Sequence, residues 1–452
     1  MGLFSKGIKL SKKTAAASLD LIKTPLPKKV ALSLKQYIGE PSVSAVSIGD
    51  KVKTGQVIGT AAGEESLPLT ATISGTVTDI REYPDSKGID ILSVIIESDG
   101  KDTQVKPGKG KTGISSLDPS ELLERIRNAG LVTGGLLSVP LDRDLVPVDR
   151  PKTHLYLNEK EVVKKIDTLV INALDSEPSL GTNKYLSRTG SEELADGIAA
   201  LRFITGAEET LFVVDKNIAP FPHLNDLVAA DEEETTKIVA LDGMRFPLGM
   251  PAPLLKAVLD REVALPYGHP RDVGVALYDI DTVISAGASI RNNTPGIESL
   301  ITIGGKAFRK NGVVRVRIGT TIEELVDSLG GFSKDPVKII LGGPMTGMAQ
   351  YDLSVPITKD VTGLFALTEE ETGLSGGYGE CINCGLCVKV CPVNLIPGAL
   401  SMYCAKGIFE MAEKEGLFVC IECGCCDYVC PAERPMIHLF RHAKHQLMEK
   451  TL

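Results

Sequence analysis

Eight cysteines near the C-terminal end of the chain have the type and spacing that bind iron. They stand in two runs, CINCGLCVKVCP at 381–392 and CIECGCCDYVCP at 420–431, and each run has the spacing C-x2-C-x2-C-x3-C-P. In two-cluster ferredoxins the first three cysteines of such a run bind one [4Fe–4S] cluster and the fourth binds the other. The spacing therefore predicts two clusters with crossed ligands. The predicted sets are Cys381, Cys384, Cys387 and Cys430 for cluster 1, and Cys420, Cys423, Cys426 and Cys391 for cluster 2.

Structural zinc and disulfide bonds are the simpler interpretations of so many cysteines. Zinc sites pair C-x2-C knuckles and have no use for a crossed fourth cysteine followed by proline. Disulfides need an oxidising compartment, which no other feature of the sequence suggests. The two remaining cysteines, Cys404 and Cys425, are interpreted as bystanders. Two adjacent clusters predict a one-electron relay in a reducing, cytoplasmic setting.

Composition narrows the range of partners. A net charge of −9 and the absence of Trp argue against nucleic acid as a partner. No stretch approaches the ~18 consecutive apolar residues of a membrane span, so membrane association is expected through partner subunits. The lysine-rich residues 1–30 are expected to form a solvated lead-in, with docking on an acidic partner or an anionic membrane surface as the alternative.

Three patterns of secondary structure precede the cysteines. Residues 30–100 alternate short apolar runs with glycine turns, which predicts an all-β unit similar to the barrel-sandwich hybrid of biotinyl and lipoyl carriers. Strands alternate with helices over about 120–260, which is typical of a doubly wound α/β domain, and one helix should begin at Asp118-Pro119 and end at Gly130. Residues 270–331 suit a small β-grasp domain.

We therefore expect a multidomain α/β protein in four parts. The expected domains are a barrel-sandwich hybrid with its basic lead-in at 1–110, a Rossmann-like α/β domain at 111–262, an SLBB-like β-grasp domain with a return to the barrel at 263–368, and an α-helical ferredoxin domain with two [4Fe–4S] clusters at 369–452.

The order of these segments resembles the RnfC component of the Rnf complex, a membrane-bound, ion-translocating ferredoxin:NAD+ oxidoreductase. The resembling stretches include VSIGDKVKTGQVIG (46–59), IDTLVIN (166–172), KIILGGPMTGM (338–348) and both cysteine runs. The resemblance implies a peripheral subunit of this translocase at the cytoplasmic face of the cell membrane. It implies integral membrane and ferredoxin-like Rnf subunits as partners, with ferredoxin reached indirectly.

The family also carries a glycine-rich G-x-G-G-A-G-F-P-T loop that holds FMN and the nicotinamide cofactor. The corresponding segment here, VTGGLLSVPLDRDL (132–145), keeps two glycines of that loop but none of its A-G-F-P-T core. A second family signature, E-C-E-P, appears as D-S-E-P at 175–178. The resemblance implies either a modified flavin site or a fold that has lost its nucleotide. The candidate FMN or NAD residues are Gly134, Gly135, Asn172, Asp175 and Glu177.

The altered loop leads to the hypothesis that the electrons reach a carrier other than NAD, such as a membrane quinone-like molecule or a cytochrome. FMN binding, NAD binding and any NADH dehydrogenase activity of the chain itself are left open, as are the coupling ion (Na+ or H+) and the direction of electron flow. Two other functions stay open. One is a soluble, NADH-dependent FMN and iron–sulfur reductase similar to cobalamin reductase, and the other is a non-enzymatic ferredoxin-like adaptor.

Overall fold

The structure is a computed structural model of the chain. It describes residues 6–10, 19–106, 117–134, 138–146, 164–372 and 377–450. Among the predicted site residues, Gly135 lies outside this described part, as do residues 136–137 of the altered glycine-loop segment.

The region before residue 107 is entirely β-structure in its described part. Its strands are β1 (Ile8–Lys9), β2 (Leu21–Ile22), β3 (Lys29–Ser33), β4 (Val43–Ser44), β5 (Lys51–Val52), β6 (Val57–Thr60), β7 (Leu69–Thr70), β8 (Gly75–Pro84) and β9 (Asp90–Ser98). Two sheets, with strand orders β3-β9-β8-β5 and β4-β6-β7, enclose one apolar core around Leu32, Ile58 and Val77. The prediction of a barrel-sandwich hybrid is confirmed.

The α/β domain follows the expected alternation of helices and strands. Its elements are α1 (Pro119–Asn128), α2 (Leu141–Leu145), β10 (Thr168–Asn172), α3 (Thr182–Thr189), α4 (Glu192–Thr205), β11 (Glu209–Asp215), α5 (Pro222–Ala229), β12 (Thr236–Leu241), β13 (Arg245–Phe246), α6 (Pro251–Leu259), β14 (Val275–Asp279) and α7 (Ile280–Asn292). Asp118 caps α1 by accepting from the Glu121 N–H at 2.9 Å, as its position before Pro119 predicts.

This domain extends past the boundary expected at residue 262. Strand β14 pairs in parallel with β10, so the sheet has the order β12-β11-β10-β14. Helix α7 packs closely on α4, because a Cβ on Gly197 would lie 2.0 Å from the Val283 carbonyl oxygen and one on Gly287 would lie 1.9 Å from that of Glu193. Placing 263–292 in the β-grasp domain was therefore wrong. A short apolar run shows that a strand exists, but not which sheet it joins.

The third unit is a six-stranded sheet with one helix. Its elements are β15 (Glu298–Gly304), β16 (Gly312–Arg317), α8 (Ile322–Ser328), β17 (Lys338–Leu341), β18 (Met348–Gln350) and β19 (Gly363–Leu367). The strand order is β18-β17-β19-β15-β16-β2. The barrel docks against this unit, since the Thr72 hydroxyl donates to the Ile318 carbonyl at 2.7 Å and the Ala31 N–H donates to that of Gly319 at 2.8 Å.

The cysteine region is helical, as predicted. Its helices are α9 (Glu369–Thr372), α10 (Leu386–Val390), α11 (Pro397–Ala405), α12 (Phe409–Lys414), α13 (Cys425–Tyr428) and α14 (Met436–Glu449). Leu400, Leu417 and Phe440 form the centre of its core, each at most 1% exposed. Arg434 connects α11 to the start of the first cysteine run by donating to the Ser401 hydroxyl and to the Gly379 carbonyl.

Part of the basic lead-in is buried, which corrects the expectation of a solvated segment. Strand β1 pairs antiparallel with β13, and Ile8 and Leu10 pack in one apolar cluster with Phe246. The Gly7 N–H donates to the Val390 carbonyl at 3.0 Å, so this strand touches the α/β and ferredoxin domains at once. Two apolar residues among lysines have no periodicity that a sequence pattern could detect.

Candidate iron–sulfur and nucleotide sites

The two cysteine runs adopt the same backbone conformation. In each run the residue before the second cysteine is left-handed, with φ +53° at Asn383 and φ +55° at Glu422. The glycine that follows the second cysteine is also left-handed, at φ +74° for Gly385 and +76° for Gly424, and it begins α10 or α13. Positive φ costs glycine little, so the backbone of each run can reverse direction at this point.

The predicted ligands of cluster 2 surround one cavity. Its apolar wall includes Ile437 and Phe440 of α14. Cys391 reaches this cavity from the end of the first run, which is the crossing that the spacing predicts. The cysteines that line the cavity are Cys391, Cys420, Cys423, Cys425 and Cys426.

The predicted ligands of cluster 1 lie at the outer end of the same domain. Gly398 sits beside two of them, because an added Cβ would be 3.5 Å from the Cys381 sulfur and 3.6 Å from the Cys387 sulfur. The Gly379 N–H donates to the Ala432 carbonyl at 2.8 Å, which brings the chain just before Cys381 alongside the chain just after Cys430. The chain that follows Cys430 thus runs beside the chain that leads into the first run.

The two sites differ in exposure. Cys391, Cys423 and Cys426 are each 5–6% exposed, whereas Cys384 is an exposed residue. Gly424 is covered by the Met345 carbonyl, to which an added Cβ would come within 2.9 Å, whereas a Cβ on Gly385 would meet no atom within 4 Å. The cluster 2 set is therefore the inner one, and the cluster 1 set faces outward.

Backbone N–H groups point at several of the cysteine sulfurs. Leu395 donates to the Cys391 sulfur at 3.3 Å, and Glu422 donates to the Cys420 sulfur at 3.4 Å. Burial raises the pKa of the Cys387 and Cys391 thiols, and it raises the pKa of Cys420 to about 12. These thiols are protonated at neutral pH without a metal, so binding of iron would release protons.

The cysteines that line the cluster 2 cavity come from both runs. Within the described part of the chain, no three His, Cys, Asp or Glu side chains converge on a single-ion site. Ligands of a [4Fe–4S] cluster bind four separate irons and so stand further apart, around a cavity, as the cluster 2 cysteines do. Cys404 and Cys425, interpreted as bystanders, are 4% and 0% exposed in apolar cores.

Three of the predicted nucleotide residues, Gly134, Asn172 and Asp175, lie at the C-terminal edge of the parallel sheet. Asn172 ends β10, and its amide donates to the Asp279 carboxylate at 2.9 Å and to the Gly249 carbonyl at 3.2 Å. Gly134 rests on the same carboxylate, since an added Cβ would be 2.5 Å from its Oδ2. Burial, with smaller contributions from Asp175 and Asp281, raises the pKa of Asp279 to about 7.

Asp175 occupies the N-terminus of α3. Its carboxylate accepts from the N–H groups of Asn183 at 2.9 Å and Lys184 at 3.3 Å, and the buried Lys184 ammonium lies 3.6 Å away. Helix N-termini attract phosphates because their first N–H groups are free. Here a side chain of the protein itself takes that place, and three carboxyl groups (Asp175, Asp279 and Asp281) crowd the edge. The described residues at this edge therefore fit the phosphate of a flavin or dinucleotide poorly.

Glu177 is directed away from this edge and into the 342–348 loop, GGPMTGM. Its side chain is fully buried and accepts from the N–H groups of Met345 at 2.9 Å and Thr346 at 3.1 Å, and from the Thr346 hydroxyl at 2.5 Å. Burial raises the pKa of Glu177 despite these bonds. The structure thus brings Asn172, Asp175 and Gly134 together but assigns the Glu177 carboxylate a different neighbourhood.

Two functional-site residues escaped the sequence reasoning. Asp279 lies in a segment that the expected boundary at residue 262 assigned to the β-grasp domain. The D-I-D pattern at 279–281 was the sequence feature that could have indicated acidic residues at this site. Arg441 on α14 bonds to Glu422 between two cluster 2 cysteines and to the 342–348 loop. Nothing near Arg441 in the sequence indicates these long-range partners.

Models of protein families match four consecutive parts of the chain. They are the RnfC barrel-sandwich hybrid domain at 3–101, the Nuo51 FMN-binding domain at 152–287, the SLBB domain at 300–349 and the 4Fe-4S binding domain at 378–396. The second match extends past residue 262, in agreement with the position of β14 in the parallel sheet.

Curated relatives match over most of the length of both chains. The RnfC-type component of the proton-translocating ferredoxin:NAD+ oxidoreductase complex of Clostridium ljungdahlii is 32% identical over 86% of this chain and 82% of its own. The chain belongs to the RnfC family. The corresponding component of the Na+-translocating complex of Acetobacterium woodii is 31% identical to this RnfC chain, over 99% of it and 97% of the relative.

Solved structures give a weaker likeness. A chain of the NAD+-reducing [NiFe]-hydrogenase in its H2-reduced state superposes with a TM-score of 0.47 at 14% identity, over 75% of this RnfC chain and 64% of that chain. Nothing further rests on this match. Within the described ranges, no helix has the length and apolar character needed to cross a membrane.

Proposed function

We propose that this RnfC chain is the peripheral electron-transfer subunit of a membrane-bound, ion-translocating Rnf-type complex. The observation that carries the proposal is that Cys391 of the first run lines one cavity together with Cys420, Cys423 and Cys426 of the second. Its relatives are named as components of ferredoxin:NAD+ oxidoreductase complexes.

The chain would hold two [4Fe–4S] clusters, with the ligands assigned from the spacing. When bound, such clusters take up and release single electrons. The residues around the cluster 2 set keep water away through Ile437 and Phe440, and backbone N–H groups at 395 and 422 stabilise charge on two of the sulfurs. The exposed Cys384 places the cluster 1 set where a second redox protein can approach.

The partners would be the integral membrane and ferredoxin-like subunits of the complex, at the cytoplasmic face of the membrane. Two features support a peripheral subunit that is held by other proteins. Cysteine ligation of clusters needs reducing surroundings, and the described helices include none that could span the membrane. The chain would then contribute electron transfer to the translocase, while ions move through other subunits.

The terminal carrier would be different from NAD. Asp175 fills the N-terminus of α3, and Gly134 and Asn172 are both engaged with Asp279 at the edge where a nucleotide phosphate would bind. Because Asp175 already accepts from the N–H groups that a phosphate would use, we derive no electron-transfer step through FMN or NAD(H). A quinone-like molecule of the membrane or a cytochrome remains the proposed acceptor class.

A soluble FMN-dependent reductase is the second candidate. It is favoured by one observation, the match of the Nuo51 FMN-binding model to residues 152–287. A reductase of this kind would retain flavin on purification and accept electrons from NADH without other subunits. A simple ferredoxin-like adaptor would do neither and would not bind membrane subunits.

The test uses anaerobically prepared full-length chain with its clusters loaded. Flavin content is measured first, and then the visible absorption of the clusters is followed after addition of NADH or dithionite. The proposal predicts no flavin, no bleaching by NADH and full bleaching by dithionite. Bound FMN together with bleaching by NADH would instead establish an NADH-reactive protein. Failure of dithionite to bleach would contradict the relay itself.

A further inference from the structure

The 342–348 loop is held between the α/β domain and the second cysteine run. On one side Glu177 accepts three hydrogen bonds from Met345 and Thr346. On the other side the Met345 carbonyl oxygen covers Gly424, to which an added Cβ would come within 2.9 Å. One short loop thus touches both the segment after β10 and the cysteines of cluster 2.

Arg441 is the side chain that joins this loop to the cysteine run. Its Nε donates to Glu422 Oε2 at 2.8 Å, and its terminal nitrogens donate to the carbonyls of Thr346 at 2.6 Å and Gly347 at 3.2 Å. Only 17% of the side chain is exposed. The planar guanidinium can serve these separate acceptors at once, which the single ammonium of a lysine cannot do with the same geometry.

Charge accumulates at the same place. Lys444, also on α14, donates to Glu422 Oε1 at 2.7 Å and to the Cys420 carbonyl at 2.8 Å. Glu422 lies between Cys420 and Cys423 in the sequence, and the Asp427 carboxyl stands 3.5 Å from the Cys426 sulfur. Two carboxyl groups and two cations thus border the cluster 2 ligands, and the side chains of Arg441, Lys444 and Glu422 are largely shielded from solvent.

The first cysteine run provides an internal comparison. Asn383 stands at the position of Glu422 with the same left-handed backbone, but it is neutral and exposed. Gly385, at the position of Gly424, has open space where its Cβ would be. Among the residues that the structure describes, the clamp of loop, arginine and carboxylate is therefore found at the second run and has no counterpart at the first.

We propose that Arg441 is a positioning residue for cluster 2: it fixes the 342–348 loop on the second cysteine run and its charge makes cluster 2 easier to reduce. The proposal rests on the proposed function, because it requires both clusters. Positive charge near a cluster favours uptake of an electron, and the contribution is larger where solvent is excluded. Arg441 would thereby link the segment that carries Glu177 to the inner cluster and leave the outer cluster unaffected.

The test compares R441Q, R441K and N383D with the wild type in full-length, cluster-loaded protein. The midpoint potentials of the clusters are followed by electron paramagnetic resonance, and amide hydrogen exchange is followed over 342–348. R441Q should change the reduced-to-oxidised ratio of one cluster about tenfold at fixed potential, which lowers its midpoint by about 59 mV. It should also speed loop exchange at least tenfold. R441K, which keeps the charge, should have the wild-type midpoint potential of cluster 2, but amide exchange of its 342–348 loop should stay as fast as in R441Q.

N383D is the matched control, because it adds a carboxylate at the corresponding position beside cluster 1. N383D should lower the midpoint potential of cluster 1 and leave amide exchange of the 342–348 loop unchanged. The proposal is overturned if R441Q leaves midpoints and exchange as in the wild type, or moves both midpoints equally. If R441Q loses iron, R441K decides: slow, wild-type loop exchange in R441K overturns the positioning role. A wild type without clusters would refute the proposed function, while loop exchange in R441Q would still test the Arg441 contacts.

Discussion

Replacing Glu177 tests whether its carboxylate stabilises the 342–348 loop or binds a nucleotide. In E177A the N–H groups of Met345 and Thr346 lose their acceptor, whereas the Thr346 hydroxyl can rotate to another partner. A buried polar group without a partner costs about 1–3 kcal/mol, so two orphaned N–H groups cost roughly 2–6 kcal/mol. Removing a buried carboxylate recovers part of this cost, because burial disfavours its charge. We expect a net loss of about 3 kcal/mol in the local stability of the 342–348 loop.

The isosteric variant E177Q should lose less. Its amide oxygen can still accept both bonds from Thr346, but its NH2 group must then face the Met345 N–H, donor against donor. One unsatisfied pair should cost about 1–2 kcal/mol. E177A should therefore lose more loop stability than E177Q, because E177Q keeps one of the two oxygens that accept hydrogen bonds.

Hydrogen exchange of the loop amides in the whole chain is the suitable assay, because a multidomain protein with clusters does not unfold in a single step. A loss of about 3 kcal/mol accelerates exchange roughly a hundredfold, and E177Q should give about a tenfold increase. The control is Glu369→Ala, at an exposed acid of α9. Loop exchange within twofold of the wild type in E177A would refute the structural role, most clearly if the variant also lost bound flavin.

Three further predictions concern the edge of the sheet, the crossed ligands and the N-terminal strand. In the wild type, the local stability of the parallel sheet, measured by amide exchange of β10 and β14, should fall by roughly 2–4 kcal/mol as pH rises from about 4 through the folded pKa of about 7, because the buried Asp279 holds its proton more tightly than the unfolded chain does. D279N should remove this loss, and an equal pH slope in D279N would contradict the assignment. C391S should lower iron content by about half, because it should empty cluster 2 although Cys391 belongs to the first run. The control variant C404S should keep its iron. Loss of cluster 1 from C391S would contradict the crossed assignment of ligands. I8A should weaken the docking of β1 by about 2 kcal/mol and speed amide exchange in β13, and unchanged β13 exchange would show that this strand is not a fixed contact.

The local signals in the sequence were reliable where one short segment determines the structure. Cysteine spacing sets which sulfurs can share a cluster, and Asp118 before Pro119 determines where α1 begins, because the capping bond spans only three residues. The all-β character of the barrel likewise follows from alternation and turns.

The residues that the sequence did not reveal act over long distances. Strand β14 joins β10 across about 100 residues, Glu177 bonds to a loop nearly 170 residues away, and Ile8 packs on Phe246. In each case the side chain has an ordinary local pattern, and its partner is determined by tertiary packing. The structure brings Asn172 and Asp175 to one edge of the sheet, whereas the Glu177 carboxylate lies against the 342–348 loop, which no local pattern indicates.

The most direct test of the two-cluster relay is the iron and sulfide content of anaerobically purified chain, combined with electron paramagnetic resonance after reduction. The relay predicts about eight iron and eight sulfide per chain and the spectrum of two reduced [4Fe–4S] clusters close enough to interact. Bound zinc without sulfide, or iron for a single cluster, would contradict it.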